Sequence, residues 1–187
     1  MRTSAATSQA SGLYLLFLDQ LAVMHHAEKL LSKALILVGK AARSEDLKAL
    51  VEAHQKETVG HVKCIEEVAA SLEAKLPHRK GPAMTRLIEE TVLLIAKAAG
   101  SPVLDSAIIA AALKIEHYEI ASYGTLCAWA ERLGFRHEFP QLKSTLNQEK
   151  LAESLLTSLS EGARGLPNLV EETSLKIISK SVAKARK

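Results

Sequence analysis

Apolar residues recur along this chain at alternating spacings of three and four, the period of a helix buried on one face. From about Gly12 to Gly39 the recurring positions are Phe17, Leu21, Met24, Leu31, Leu35 and Val38. Ser44 followed by Glu45 and Asp46 has the form of an N-cap with acids in the first turn, so a second helix opens there and runs to about Leu76. Its stripe is Leu47, Leu50, His54, Glu57, His61, Cys64, Val68 and Leu72. A shorter helix is predicted over 83–99, between the loops PHRKGP and GSP. Two more long helices follow, over 103–133 with Gly134 as its stop and over 139–159. Pro77, Pro82, Pro102, Pro140 and Pro167 fall between or near the ends of these segments, where a residue without an amide hydrogen does least harm.

The first two long helices are joined by only a few residues, as are the last two, so each pair must fold as an antiparallel hairpin. The intervening helix would cover about 25 Å at 1.5 Å per residue, enough to carry the chain back along a bundle. The predicted fold is all-α: a four-helix bundle of two antiparallel hairpins joined by one long crossover, the ferritin-like topology. Residues 12–162 form this bundle. Residues 1–11, rich in Ser, Thr and Ala without periodicity, are expected as a flexible arm, and 163–187 as an amphipathic segment with a basic tail.

Composition supports helices, since 28 Ala and 29 Leu stand against seven aromatic residues. The formal charge is +3, but Lys176, Lys180, Lys184, Arg186 and Lys187 close the chain without an acid among them, leaving the rest slightly acidic. That distribution excludes a dedicated nucleic-acid binder. No apolar run approaches the ~18 to 20 residues that span a bilayer, which excludes a membrane helix, and no secretory signal is expected. Cys64 and Cys127 have no close metal spacing and no disulfide role is expected. A reducing cytoplasm is the expected location.

Each long helix breaks its own apolar stripe with a carboxylate. Glu28 lies between Met24 and Leu31, Glu57 lies in the second stripe, Glu116 and Glu119 lie between Ile115 and Leu126, and Glu149 and Glu153 lie between Leu146 and Leu156. Glutamate is almost never buried without a partner. In a hairpin, residues equidistant from the turn face one another. Glu28 and Glu57 are centred on the turn before Ser44, and Glu119 and Glu149 on Gly134. Four carboxylates from four helices therefore converge near mid-bundle. Glu116 with Glu153 and His25 with His61 are centred on the same turns. A weak internal repeat matches Glu28 to Glu119 and Glu57 to Glu149.

Two hairpins that each give two carboxylates form the arrangement that holds two metal ions between four helices. Carboxylate oxygen with imidazole nitrogen suits iron or manganese, with zinc also possible. His54 lies one turn before Glu57 on the same face and is the histidine expected to join them. His25 and His61 are read as core or supporting residues, and Tyr123, one turn beyond Glu119, as core packing, with a supporting or redox-active role as the alternative. Acids paired with lysines or lying in water at the bundle edge are the alternative; no Lys or Arg occupies these stripes.

The segments AEKLLSKAL, AHQKET, GPAMTRLIEE, EHYEIASYGTL and TLNQEK resemble the YciE/YciF-like family of ferritin-like, rubrerythrin-like bacterial stress proteins over about Leu13 to Leu159. The resemblance implies a ferritin-like bundle, a dimer, a stress-response association and a dinuclear metal centre. By matching motifs it implies Glu28, His54, Glu57, Glu116, Glu119 and Glu149 as metal-site residues and leaves His61 out. Unlike the wider ferritin-like pattern, no histidine stands three residues after Glu57 or Glu149, where Gly60 and Ala152 lie. The expected function is a dinuclear iron-carboxylate protein acting on peroxide, another small oxidant or ferrous iron, with a metal-binding protein without turnover and a metal-free structural or interaction bundle as the alternatives. The crossover helix carries apolar residues around more of its circumference than one stripe needs, including Val92 and Leu93, and a homodimer is expected to cover them.

Overall fold

The computed structural model describes residues 2–162. Five helices in order make up this part of the chain: α1 (Arg2–Ala41), α2 (Glu45–Ser71), α3 (Pro82–Ala98), α4 (Leu104–Leu133) and α5 (Glu138–Ser160), and no strand occurs among the described residues. The backbone of α1 is helical from Arg2, through the stretch expected as an arm. The amphipathic segment and basic tail expected over 163–187 lie outside the described residues.

The ends follow local chemistry. Ser44 caps α2, its hydroxyl accepting from the Leu47 amide at 3.5 Å. Pro82 opens α3, where its missing amide hydrogen costs nothing. Gly134 ends α4 with φ 78°, a left-handed conformation that glycine adopts without strain, and the Phe135 amide donates back to the Ala130 carbonyl at 2.9 Å. α2 stops at Ser71, short of the expected Leu76, because Glu73 turns into the left-handed region (φ 50°) and the Ala74 amide donates to the Ala69 carbonyl at 2.9 Å. Leu72 and Leu76 still pack on the core from the loop.

α1 packs on α2 and α4, and α5 packs on α4 and α2, so the four long helices form a square. α3 lies across the α1–α4 side. The Asp105 carboxylate holds one end together, accepting from the backbone amides of Arg43 at 2.9 Å and Ser44 at 2.8 Å and tying the start of α4 to the α1–α2 turn. Phe17, Leu21, Met24, Leu31, Leu35 and Val38 are all buried, as the spacing predicts. No helix is long and apolar enough to cross a membrane among the described residues, and both cysteines are free.

Candidate metal centre

The square arrangement turns one polar side chain after another into the same mid-bundle layer. α1 contributes Glu28, α4 contributes Glu116 and Glu119 one turn apart, and α5 contributes Glu149. α2 contributes His54 and His61, whose seven-residue spacing is two helical turns on nearly one face. Glu28, Glu119 and Glu149 are 0% exposed, Glu116 and His61 2%, and His54 5%.

These six residues form two groups that share Glu149. His54, Glu116, Glu119 and Glu149 each present one ligand atom, all within 4.8 Å of one another, and Glu28, His61 and Glu149 do the same. In the first group His54 Nε2 lies 3.2 Å from Glu116 Oε1, and His54 Nδ1 lies 3.9 Å from Glu149 Oε2. In the second, His61 Nδ1 lies 2.9 Å from Glu149 Oε1 and 3.6 Å from Glu28 Oε2. Tyr123 donates its hydroxyl to Glu28 Oε1 at 2.5 Å, while the far ring nitrogen of His61 meets Gln148 Oε1 at 3.0 Å. Thus Tyr123 takes the supporting role that is the alternative to plain packing, and orients a carboxylate. Both oxygens of Glu119 and of Glu149, together with Glu28 Oε2 and Glu116 Oε2, are buried without a hydrogen-bond partner.

Isolation from water sets the protonation of this layer. Burial pushes the Glu119 carboxyl well above its ordinary range, with further repulsion from Glu149, Glu28 and Glu116. Burial also pushes Glu116 up to about 8, against the opposing attraction of His54. Burial disfavours a charged His54, but Glu116, Glu57 and Glu149 overcome it and raise the imidazole to about 9. The same contest raises His61 through Glu149 and Glu28. Glu149, although buried, is held below the usual carboxylate range by His61 and His54. Burial likewise raises Glu28, against the pull of His61.

Of the residues singled out by sequence, Glu28, His54, Glu116, Glu119 and Glu149 meet in this layer. Glu57 stands beside it, part-buried, with Oε2 3.9 Å from His54 Nδ1, on a cleft of about 880 Å³ between α2 and α5 that also reaches His61 and Gln148. His25 pairs with Glu66 at 2.8 Å, and Glu153 accepts from Thr157 at 3.0 Å; neither joins the two groups. His61, which the sequence reading leaves outside the ligand set, lies in the second group. Its spacing of seven from His54 is the signal that places it.

The family described as "Domain of unknown function (DUF892)" matches residues 13–166, which include every residue of this layer. The chain belongs to that family. It is 42% identical to Protein YciF of Escherichia coli (strain K12) over 145 residues, covering 77% of this chain and 87% of the relative. The crystal structure of the E. coli stress protein YciF superposes with a TM-score of 0.76 at 41% identity, over 79% of this chain and 94% of that one. YcfI, a candidate structural protein of Rhodopseudomonas palustris, gives a TM-score of 0.75 at 36% identity over 78% and 93%. A Xanthomonas campestris protein shares the fold alone, at 16% identity with a TM-score of 0.61 over 94% and 99%. The chain is therefore a YciF-like member of the DUF892 family with a ferritin-like helical bundle.

The protonation pattern predicts a pH dependence for protein stripped of metal. Glu116 rises from 4.5 to about 8 on folding and His54 from 6.5 to about 9. Both folded values lie above the unfolded ones, so their contribution to stability is complete at low pH and is lost as pH rises through the folded values. Glu149 has the opposite sign, its contribution being lost only as pH falls below the ordinary carboxylate range. Thermal unfolding followed by circular dichroism should therefore show a midpoint that falls from about pH 5 to about pH 9. A midpoint that climbs across that window would contradict the assignment.

Proposed function

We propose that this protein is a dinuclear metal-carboxylate protein, with iron as the metal and a redox role toward peroxide or ferrous iron in a stress response. One observation carries the reading: two buried ligand groups share Glu149, and both oxygens of Glu119, with Glu28 Oε2 and Glu116 Oε2, lack hydrogen-bond partners. The donors fit two divalent or trivalent cations, because hard carboxylate oxygens with imidazole nitrogens suit iron or manganese and the buried negative charge calls for compensation.

His54, Glu116 and Glu119 would hold one ion, Glu28 and His61 the other, and Glu149 would bridge. Bound iron would supply one-electron redox chemistry. The chain's own residues supply the rest. Tyr123 fixes one oxygen of Glu28, leaving the other free to turn inward. Gln148 orients His61. The protons held on His54, Glu116 and Glu119 in the metal-free protein are released when ligands must be unprotonated. The α2–α5 cleft, lined by Lys56, Glu57 and Gln148, is open to solvent and would admit hydrated ions.

A metal-free structural bundle is the second reading, favoured by the close approach of His61 to Glu149 and the Tyr123–Glu28 hydrogen bond, which compensate part of the buried charge. Elemental analysis of protein purified without chelator separates the two, and about two transition-metal ions per chain are expected on the pattern of ferritin-like carboxylate sites. Glu149→Gln should lose both while circular dichroism stays helical, since the apolar stripes hold the bundle. Metal-free wild-type protein that binds no added iron, manganese or zinc would overturn the proposal.

We extend the proposal to a homodimer. On α3, Val92 is 55% and Leu93 70% exposed, and Ile36 and Leu37 of α1 are 49% and 64% exposed. Light scattering on the full chain should give twice the chain mass, and Leu93→Glu should shift it to the monomer. A wild-type monomer at micromolar concentration would contradict the assembly.

A further inference from the structure

α3 roofs a second cavity on the side of the bundle away from the α2–α5 cleft, with a volume of about 300 Å³. That lies at the lower end of the range typical of small-molecule pockets, roughly 300 to 1,000 Å³. The walls are apolar, from Leu35 and Val38 on α1, Ile95 on α3, and Ile108 and Ile115 on α4. Thr91 also faces it, but its hydroxyl is occupied in donating to the Leu87 carbonyl at 2.8 Å. Polar atoms reach the cavity at one place, where His54 and Glu116 meet it.

The room exists because small residues stand where the stripes would otherwise carry large ones. Ala34, Ala96, Ala112 and Ala152, one from each of four helices, line the space. From Ile108 to Glu116 the α4 wall is about 12 Å long at 1.5 Å per residue. Leu37 and Val92 stand where the cavity meets solvent, 64% and 55% exposed.

A row of water molecules would find no partners along these walls, and a hydrated ion could not shed its shell there. An uncharged chain would replace the missing packing. At the polar end Glu116 lines the cavity, and its carboxyl can hydrogen-bond a hydroxyl. We propose that this cavity binds an unbranched, uncharged aliphatic alcohol of medium chain length, its hydroxyl at Glu116 and its tail running toward Leu37 and Val92. The proposal goes beyond the metal reading and does not depend on it, because the cavity belongs to the protein fold itself.

Calorimetry with decanol on the full chain stripped of metal tests it, so the outcome is separate from that of metal analysis. Saturable binding is expected, with a rise in the unfolding midpoint as decanol concentration increases. An ethylene glycol oligomer of similar length should not bind, and decane, which lacks the hydroxyl, should bind more weakly. Ala112→Leu and, separately, Ala34→Phe fill the space and should abolish decanol binding with the helices retained. No saturable binding of decanol by the wild type would overturn the proposal. So would undiminished binding in a filled variant that remains helical, or equal binding of the glycol. Decane binding as tightly as decanol would overturn the assignment of the hydroxyl to Glu116.

Discussion

A carboxylate removed from water must be paired, protonated or bound to a cation, and this bundle removes four of them together. Glu28, Glu116, Glu119 and Glu149 are at most 2% exposed and occupy one layer with two buried histidines. The protein compensates this charge only in part. His61 approaches Glu149 at 2.9 Å and His54 approaches Glu116 at 3.2 Å, while both oxygens of Glu119 have no partner. A core assembled for stability alone would place apolar side chains of similar volume here, which is often neutral or favourable by a few kcal/mol. The layer is therefore tolerated by the fold, and the packing of the Leu and Ala stripes above and below it makes that tolerance affordable.

The four helices reach the layer from different directions, and this explains how much of it was legible in the sequence. Hairpin symmetry gives the height of a residue along the bundle, and on that basis Glu28, Glu119 and Glu149 were correctly brought together. It says nothing about rotation around the helix axis. At 3.6 residues per turn, Glu57 lies about 60° round α2 from His54, whereas His61 lies only about 20° away. Glu57 consequently faces the α2–α5 cleft, and His61 shares the inner face of His54. Helix boundaries were readable wherever a residue forces them, as Ser44, Pro82 and Gly134 do. The early end of α2 was not, because Glu73 in the left-handed region carries no sequence signature comparable to glycine.

The crossover gives the two sides of the layer different environments. On the α2–α5 side the cleft presents Lys56, Glu57, Arg136 and Gln148 to water. On the other side α3 covers a cavity whose walls are apolar down to His54 and Glu116. Polar and apolar solutes would thus approach different members of the same cluster. The exposed side chains of Leu37, Val92 and Leu93 stand on this second side, so a second copy seated there would also shield the cavity from water.

Anomalous diffraction at the iron, manganese and zinc absorption edges, from crystals of protein purified without chelator, tests the central claim most directly. Two peaks are expected on either side of Glu149, one against His54, Glu116 and Glu119 and the other against Glu28 and His61. Density showing His61 still paired with Glu149, and no anomalous peak in the layer after soaking with any of the three metals, would contradict it.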